Sequence, residues 1–184
     1  DVAVTNHPRF GGSHLPDITV VTPVFANDGD GRLLGYVASR AHHAEIGGIR
    51  PGSMPPSASN LAEEGQVISP TYLVEQGRPR WDAIRELFLA GPHPTRNVED
   101  NLADLRAAAA ANHAGATALR ALAATHGEAT LLHYMRRLEA LAERRIRQAL
   151  RRIPDGVYEA AQRLDDGSLL RVRIELRGDE ARID

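Results

Sequence analysis

The chain has 184 residues, a net charge of −2 and no cysteine. That length allows one sizeable domain or two small ones; the charge gives no electrostatic footprint for nucleic acid or an anionic membrane; and the missing thiols exclude disulfides, thiolate metal sites and a cysteine nucleophile. All 22 basic residues are Arg, the mark of an Ala/Arg-heavy, GC-rich genome rather than of guanidinium chemistry. No apolar run approaches the roughly 18 residues of a membrane span, and no basic-then-apolar leader opens the chain, so a soluble cytoplasmic protein is expected.

In chain order, Val2-Ala3-Val4 opens as a strand. Ile18-Thr19-Val20-Val21-Thr22-Pro23-Val24-Phe25 is a β-branched run in which Pro23 argues for an edge or a bulge. Asn27-Asp28-Gly29-Asp30-Gly31 has the composition of a turn, and Arg32 to Arg40 returns as a second strand. Residues 47–60 form a Gly/Pro/Ser loop, of a length that is usually functional or disordered. A further strand is expected over 66–74, broken by Pro70, and a short helix over Trp81 to Leu89 with Ile84, Leu87 and Phe88 on one face. Asn97 is a fair N-cap for a helix through Leu102, Leu105, Ala109 and Asn112. A second helix is expected from about Ala114 to His126, stopped by Gly127. The third carries the clearest apolar stripe: Leu131, Met135, Leu138, Ala142, Ile146, Ala149 and Ile153. Its arginines Arg144, Arg145, Arg147, Arg151 and Arg152 read as a solvated face or a subunit contact. Two or three strands follow from Val157 to Asp184, with turns at 165–168 and 177–179.

The order of elements gives an α+β fold rather than a parallel doubly wound sheet. It divides into a β-rich region (1–75), a helical region of about three helices (81–153) and C-terminal strands (157–184). The chain reads as cut from a larger domain, since strand-like segments stand at both ends and bare strand edges are a liability. The same cut edges, with the arginine-rich helix, suggest an oligomer or a waiting partner.

The chemistry concentrates between Gly11 and Gly48. His14 precedes Asp17 by three residues and His42 precedes Glu45 by three, each device beside a Gly-Gly pair, Gly11-Gly12 or Gly47-Gly48. Imidazole nitrogen with carboxylate oxygen is a ligand set for Zn²⁺, Mn²⁺ or Fe²⁺. A single His-x-x-Asp more often closes a turn, but a β-hairpin across residues 18–40 would return both devices to one end of a sheet. The glycine backbones would then leave room for a planar ring beside the ion, with Glu45 orienting an imidazole or acting as general base. On an extended chain His43 faces away from His42 and is expected at the surface or behind the ligands. His7, His93, His113, His126 and His133 lack a matching constellation. Neither a nucleotide-binding glycine fingerprint nor Gly-x-Ser-x-Gly is present.

These residues carry a resemblance. Gly11-Gly12-Ser13-His14-Leu15-Pro16-Asp17 with Thr22-Pro23-Val24-Phe25 resembles the opening signature of the hydantoinase B/oxoprolinase family. Ser39-Arg40-Ala41-His42-His43-Ala44-Glu45-Ile46-Gly47-Gly48, Pro51-Gly52-Ser53-Met54-Pro55-Pro56 and Glu63-Glu64-Gly65 continue it. Thr95-Arg96-Asn97, Asp100-Asn101-Leu102-Ala103-Asp104-Leu105, Ile153-Pro154-Asp155-Gly156 and Leu164-Asp165-Asp166-Gly167 are similar to its later segments, so the match keeps order and spacing along the chain. The resemblance implies ATP-dependent opening of a small cyclic amide such as 5-oxoproline or a hydantoin. A partner ATPase subunit or domain of the hydantoinase A type would use the ATP to activate the amide, and this part would hydrolyse it. It implies His14, Asp17 and His42 as ligands of a divalent metal (Zn, Mn or Fe), Asp17 and Glu45 as catalytic, and Gly11, Gly12, Gly47, Gly48 and Ser53 as a substrate loop. Related carboxylases share the architecture. Two departures bear on activity: Glu45 stands where the family has Asp, and Asn6-His7-Pro8 where it has Asn-Asp-Pro. A degenerate assembly module that only docks the ATPase is the alternative.

Overall fold

A computed structural model describes residues 1–26 and 31–184; apart from Gly31, the turn expected at 27–31 lies outside the described residues. The chain divides into two compact units, Asp1–Glu128 and Ala129–Asp184.

In the first unit, β1 (Val2–Thr5), β2 (Asp17–Phe25), β3 (Leu33–His42), β4 (Thr71–Glu75) and β5 (Arg78–Pro79) form one antiparallel sheet in the order β3-β2-β1-β4-β5. The strand alternation in β2 is plain. Ile18, Val20 and Val24 are buried on the inner face, while Asp17, Thr19 and Val21 point the other way. Pro23 is not on an edge strand, since β2 lies between β3 and β1. It is tolerated because the β1 pairing stops at Val21, so no ladder bond from β1 is demanded of it, and the β3 register slips just beyond, at Val24/Phe25.

The helices α1 (Leu61–Glu64), α2 (Trp81–Leu89) and α3 (Val98–His126) belong to this unit. The hydrophobic core is built where α2 and α3 meet the inner face: Val4, Leu15, Ile18, Val20, Ile46, Ile68, Leu73, Ile84, Phe88, Leu102 and Leu105. The two helices expected between Asn97 and His126 are one, α3. Its apparent breakers are contact points with the sheet. The amide of Asn112 is buried and donates to the Val20 carbonyl at 3.0 Å and the Thr22 hydroxyl at 3.2 Å. A Cβ on Gly115 would stand 3.3 Å from Val37 Cγ1, so glycine there admits close helix–sheet approach. Asn97 caps the helix through its side chain, and Gly127 (φ 82°) ends it.

The second unit holds most of α4 (Glu128–Leu150) and a three-stranded antiparallel sheet, β6 (Gly156–Arg163), β7 (Leu169–Arg177) and β8 (Glu180–Ile183). The helical region expected at 81–153 is thus shared between the units. Part of the arginine cluster works inside this unit: Arg151 donates to Asp179 at 2.6 Å and Arg147 lies 3.5 Å from it, tying α4 to the β7–β8 turn. No residue of α4 is buried among the described residues, and Leu138 and Ile146 of its apolar stripe stand open.

Candidate metal centre

The β2–β3 register sets Asp17 directly opposite His42, at the end of the hairpin. His14 arrives from the preceding turn, closed by the Asp17 N–H donating to the His14 carbonyl at 3.0 Å, with Leu15 buried in the core as its anchor. The turn expected of His14-x-x-Asp17 is thus formed, and it leaves both side chains at the hairpin end. His14 Nε2 lies 3.1 Å and His42 Nδ1 3.3 Å from the same oxygen, Asp17 Oδ1. The two rings are 5.0 Å apart, tilted by 34°. One ligand atom from each of the three residues falls within 4.8 Å of the others, the only such His/carboxylate group among the described residues.

The donor set fits a divalent ion on two counts. First, Asp17 is held as carboxylate. Burial works to raise its pKa, but the Ser13 hydroxyl on Oδ2 (3.0 Å), the charge of His14, and bonds from His14 and His42 outweigh it and lower it below the usual value. Second, His14 Nδ1 is buried with no hydrogen-bond partner, so the ring keeps a nitrogen that the protein leaves unsatisfied. Two imidazoles and a carboxylate at one point form the borderline set that Zn²⁺, Mn²⁺ and Fe²⁺ accept.

Behind the ligands sits a polar network that the sequence pattern did not disclose. His43 is not a surface residue: it is 2% exposed, with Nδ1 2.7 Å from Asn101 Oδ1 on α3. Its backbone N–H donates to the Pro16 carbonyl at 2.9 Å, closing the end of the hairpin over the His14 turn. The Asn101 amide donates to the Glu45 carbonyl (3.0 Å), the Thr95 hydroxyl (2.8 Å) and the Asn97 carbonyl (3.2 Å). Asn6, fully buried, joins three segments by donating to the Leu15 and Gln66 carbonyls and accepting from the Ile68 N–H. The signal in hindsight was polar amides in apolar surroundings, at positions 6, 101 and 112. His7, by contrast, is a local cap, its Nδ1 accepting from the Arg9 N–H at 3.1 Å.

Other expected site residues have different employment. Glu45 meets no imidazole among its hydrogen-bond partners. Its Oε1 accepts from the Thr95 hydroxyl and the Arg96 and Asn97 N–H groups, and its Oε2 from the Gly47 N–H and the Arg96 guanidinium. Burial works to raise its pKa, and the bonds from Thr95, Gly47, Arg96 and Asn97 overcome this to lower it below 4.5. The room expected beside the glycine pairs is mostly taken by backbone. A Cβ on Gly12 would stand 2.2 Å from the Asn6 carbonyl oxygen, one on Gly47 2.3 Å from that of His93, and one on Gly48 2.7 Å from that of Glu63. Only Gly11 faces open space, and its φ of 90° explains the glycine. Ser53 is buried, its hydroxyl accepting from the Ile46 N–H and donating to the Gly47 carbonyl, which closes the 46–53 loop on itself.

The hydantoinase B/oxoprolinase family model matches residues 1–184. The chain belongs to that family. It is 41% identical over 187 residues to the 5-oxoprolinase of Saccharomyces cerevisiae, covering 96% of this chain and 14% of the yeast protein. The crystal structure of the ATP-dependent caprolactamase from Pseudomonas jessenii superposes with a TM-score of 0.88 at 32% identity, covering all of this chain and 31% of that one. The nucleotide-free structure of acetone carboxylase shares the fold, with a TM-score of 0.75 at 20% identity over 26% of its length. The chain thus spans less than a third of the length of each of these three proteins. None of its helices is long and apolar enough to cross a membrane, among the described residues.

Proposed function

We propose that this hydantoinase B/oxoprolinase chain is the metal-bearing part of an ATP-dependent cyclic amide hydrolase, acting with an ATPase subunit of the hydantoinase A type. The observation that carries the reading is the convergence of His14, Asp17 and His42 on one point, in a chain whose relatives include a 5-oxoprolinase and a caprolactamase subunit beta. Both of those names denote lactam substrates, and a subunit so named has a companion.

In this reading His14 and His42 present ring nitrogens, Asp17 presents Oδ1, and Ser13 steadies the carboxylate through Oδ2. A divalent ion held there supplies a Lewis acid that polarises a carbonyl or phosphoryl oxygen and makes water acidic enough to attack at neutral pH. Ring opening adds the water oxygen to the amide carbon, breaks the C–N bond and leaves a proton on the freed amine. The chain's own part is to position these groups on a rigid strand end and to keep Asp17 ionised. Glu45, tied to the start of α3, supports the loop rather than taking the proton.

The test is metal analysis of the protein purified with its ATPase companion, alongside ATP-dependent turnover of 5-oxoproline, caprolactam and hydantoins. Bound Mn, Zn or Fe near one equivalent, lost in His14→Ala with helicity by circular dichroism intact, is the expected result. A His14→Ala protein that keeps the metal as well as the parent sinks the reading.

A further inference from the structure

Arg40 stands on the metal-bearing face of the sheet. β3 pairs Arg40 with Thr19 and His42 with Asp17 in an unbroken register, so the four side chains alternate onto one face, opposite the buried Ile18 and Val20. Two residues along a strand separate Arg40 from His42, about 7 Å of rise. Its guanidinium is held in place: Nε donates to the Thr19 hydroxyl at 2.7 Å, and Nη2 to the Gly11 carbonyl at 2.6 Å in the loop that leads to His14.

Both of those acceptors are neutral. Arg40 has no carboxylate partner among the described residues, and no bond from Nη1 is recorded, although the side chain is exposed. Most other arginines fixed by two or more contacts are spent on acids, as Arg96 is on Glu45 and Arg147 on Glu143 and Asp179. A guanidinium pinned by neutral groups keeps its full charge and the rest of its donor fork for an incoming anion. Because the fork is already ordered, little rotamer entropy remains to be lost on binding.

We propose that Arg40 is an oxyanion-binding residue beside the metal centre, taking a phosphoryl or carboxylate group of the substrate while the reacting carbon faces His14, Asp17 and His42. The inference rests on the proposed function for the identity of the reaction, but the charge and placement of Arg40 do not depend on it. Two sources share this chemistry. A phosphoryl group would come from ATP-dependent activation of the amide, and a carboxylate from a substrate such as 5-oxoproline that carries one.

The test is calorimetric titration of the protein with inorganic phosphate and with acetate, each with and without Mn²⁺, for the parent and for Arg40→Gln. Arg40→Gln is expected to bind the preferred anion about tenfold or more weakly, with Mn²⁺ affinity unchanged and only the small loss in thermal unfolding that two exposed bonds allow. Preference for phosphate over acetate assigns the phosphoryl source, and the reverse assigns the carboxylate. Arg40→Lys keeps the charge but not the fork, and should fall between the two. Equal anion binding by parent and Arg40→Gln overturns the proposal. So does a loss of Mn²⁺ affinity in Arg40→Gln that parallels its loss of anion, since Arg40 would then only brace the loop that carries His14. Should the parent hold none of Mn²⁺, Zn²⁺ and Fe²⁺, the proposed function fails, while the metal-free arm still decides Arg40.

Discussion

Replacing Glu45 by Ala separates an architectural carboxylate from a chemical one. Its side chain is 14% exposed, and it receives the Thr95 hydroxyl, two N–H groups at the entry to α3, the Gly47 N–H and Arg96. Charge-assisted bonds contribute roughly 1.5–3 kcal/mol each, while the Arg96 pair, nearly half exposed on the Arg side, adds only about 0–1 kcal/mol. Water can recover the more open donors, so the two partly buried bonds, from Thr95 and Gly47, set the scale, about 3 kcal/mol lost in the first unit. Urea unfolding followed by fluorescence reads that unit alone, because the single tryptophan, Trp81, lies in it beneath the Arg106 guanidinium at 5.2 Å. The loss should also depend on pH. Since bonding lowers the Glu45 pKa in the folded state, its contribution is complete above about pH 4.5 and disappears as pH falls through the lower folded value. The parent-minus-variant difference should therefore shrink only in acid. A Glu45→Ala protein as stable as the parent, or one that loses Mn²⁺ affinity at unchanged stability, refutes the argument and returns Glu45 to the chemistry.

Gly47→Ala must place a methyl 2.3 Å from the His93 carbonyl oxygen at a φ of 90°, and should cost roughly 2–4 kcal/mol in thermal unfolding. Gly11→Ala shares that φ but meets nothing within 4 Å, so about 1–2 kcal/mol is expected; equal losses for the two would mean that contact is irrelevant. Asn101→Ala strands the buried His43 nitrogen and removes a donor from the Thr95 hydroxyl. It should destabilise the first unit by about 2–4 kcal/mol and weaken Mn²⁺ binding about tenfold or more through the strand end that carries His42, both readable by unfolding and metal titration.

What the sequence disclosed follows from periodicity. β2 and α2 were legible because their apolar spacing is set by one buried face, and α4 because its apolar residues recur at helical spacing although none is buried; the hairpin that unites His14, Asp17 and His42 follows from two strand-like runs facing a turn. Where reading failed, a tertiary contact outweighed a local preference. The stretch between Asn112 and Ala114 looked like a break between two helices, yet the sheet beneath α3 holds Asn112 through a buried amide bond and comes close where Gly115 lacks a Cβ. The glycine pairs looked like space for a ligand, but three of those four glycines admit neighbouring backbone. Glu45 shares the spacing of Asp17 and not its role, because its partners lie some fifty residues away at the head of α3. No spacing rule contains that distance.

The same contacts explain why His14, Asp17 and His42 stand together in the fold of the chain alone. Adjacent residues on β3 face opposite ways, so a one-residue slip of the hairpin would send His42 inward and His43 outward. The slip is opposed from both faces. Inside, it would strip His43 from Asn101; outside, it would part Arg40 from Thr19 and Gly11. These contacts fix the register and the register sets His14 and Asp17 beside His42, so an ion bound as proposed would have only protons to displace rather than a chain to reorganise.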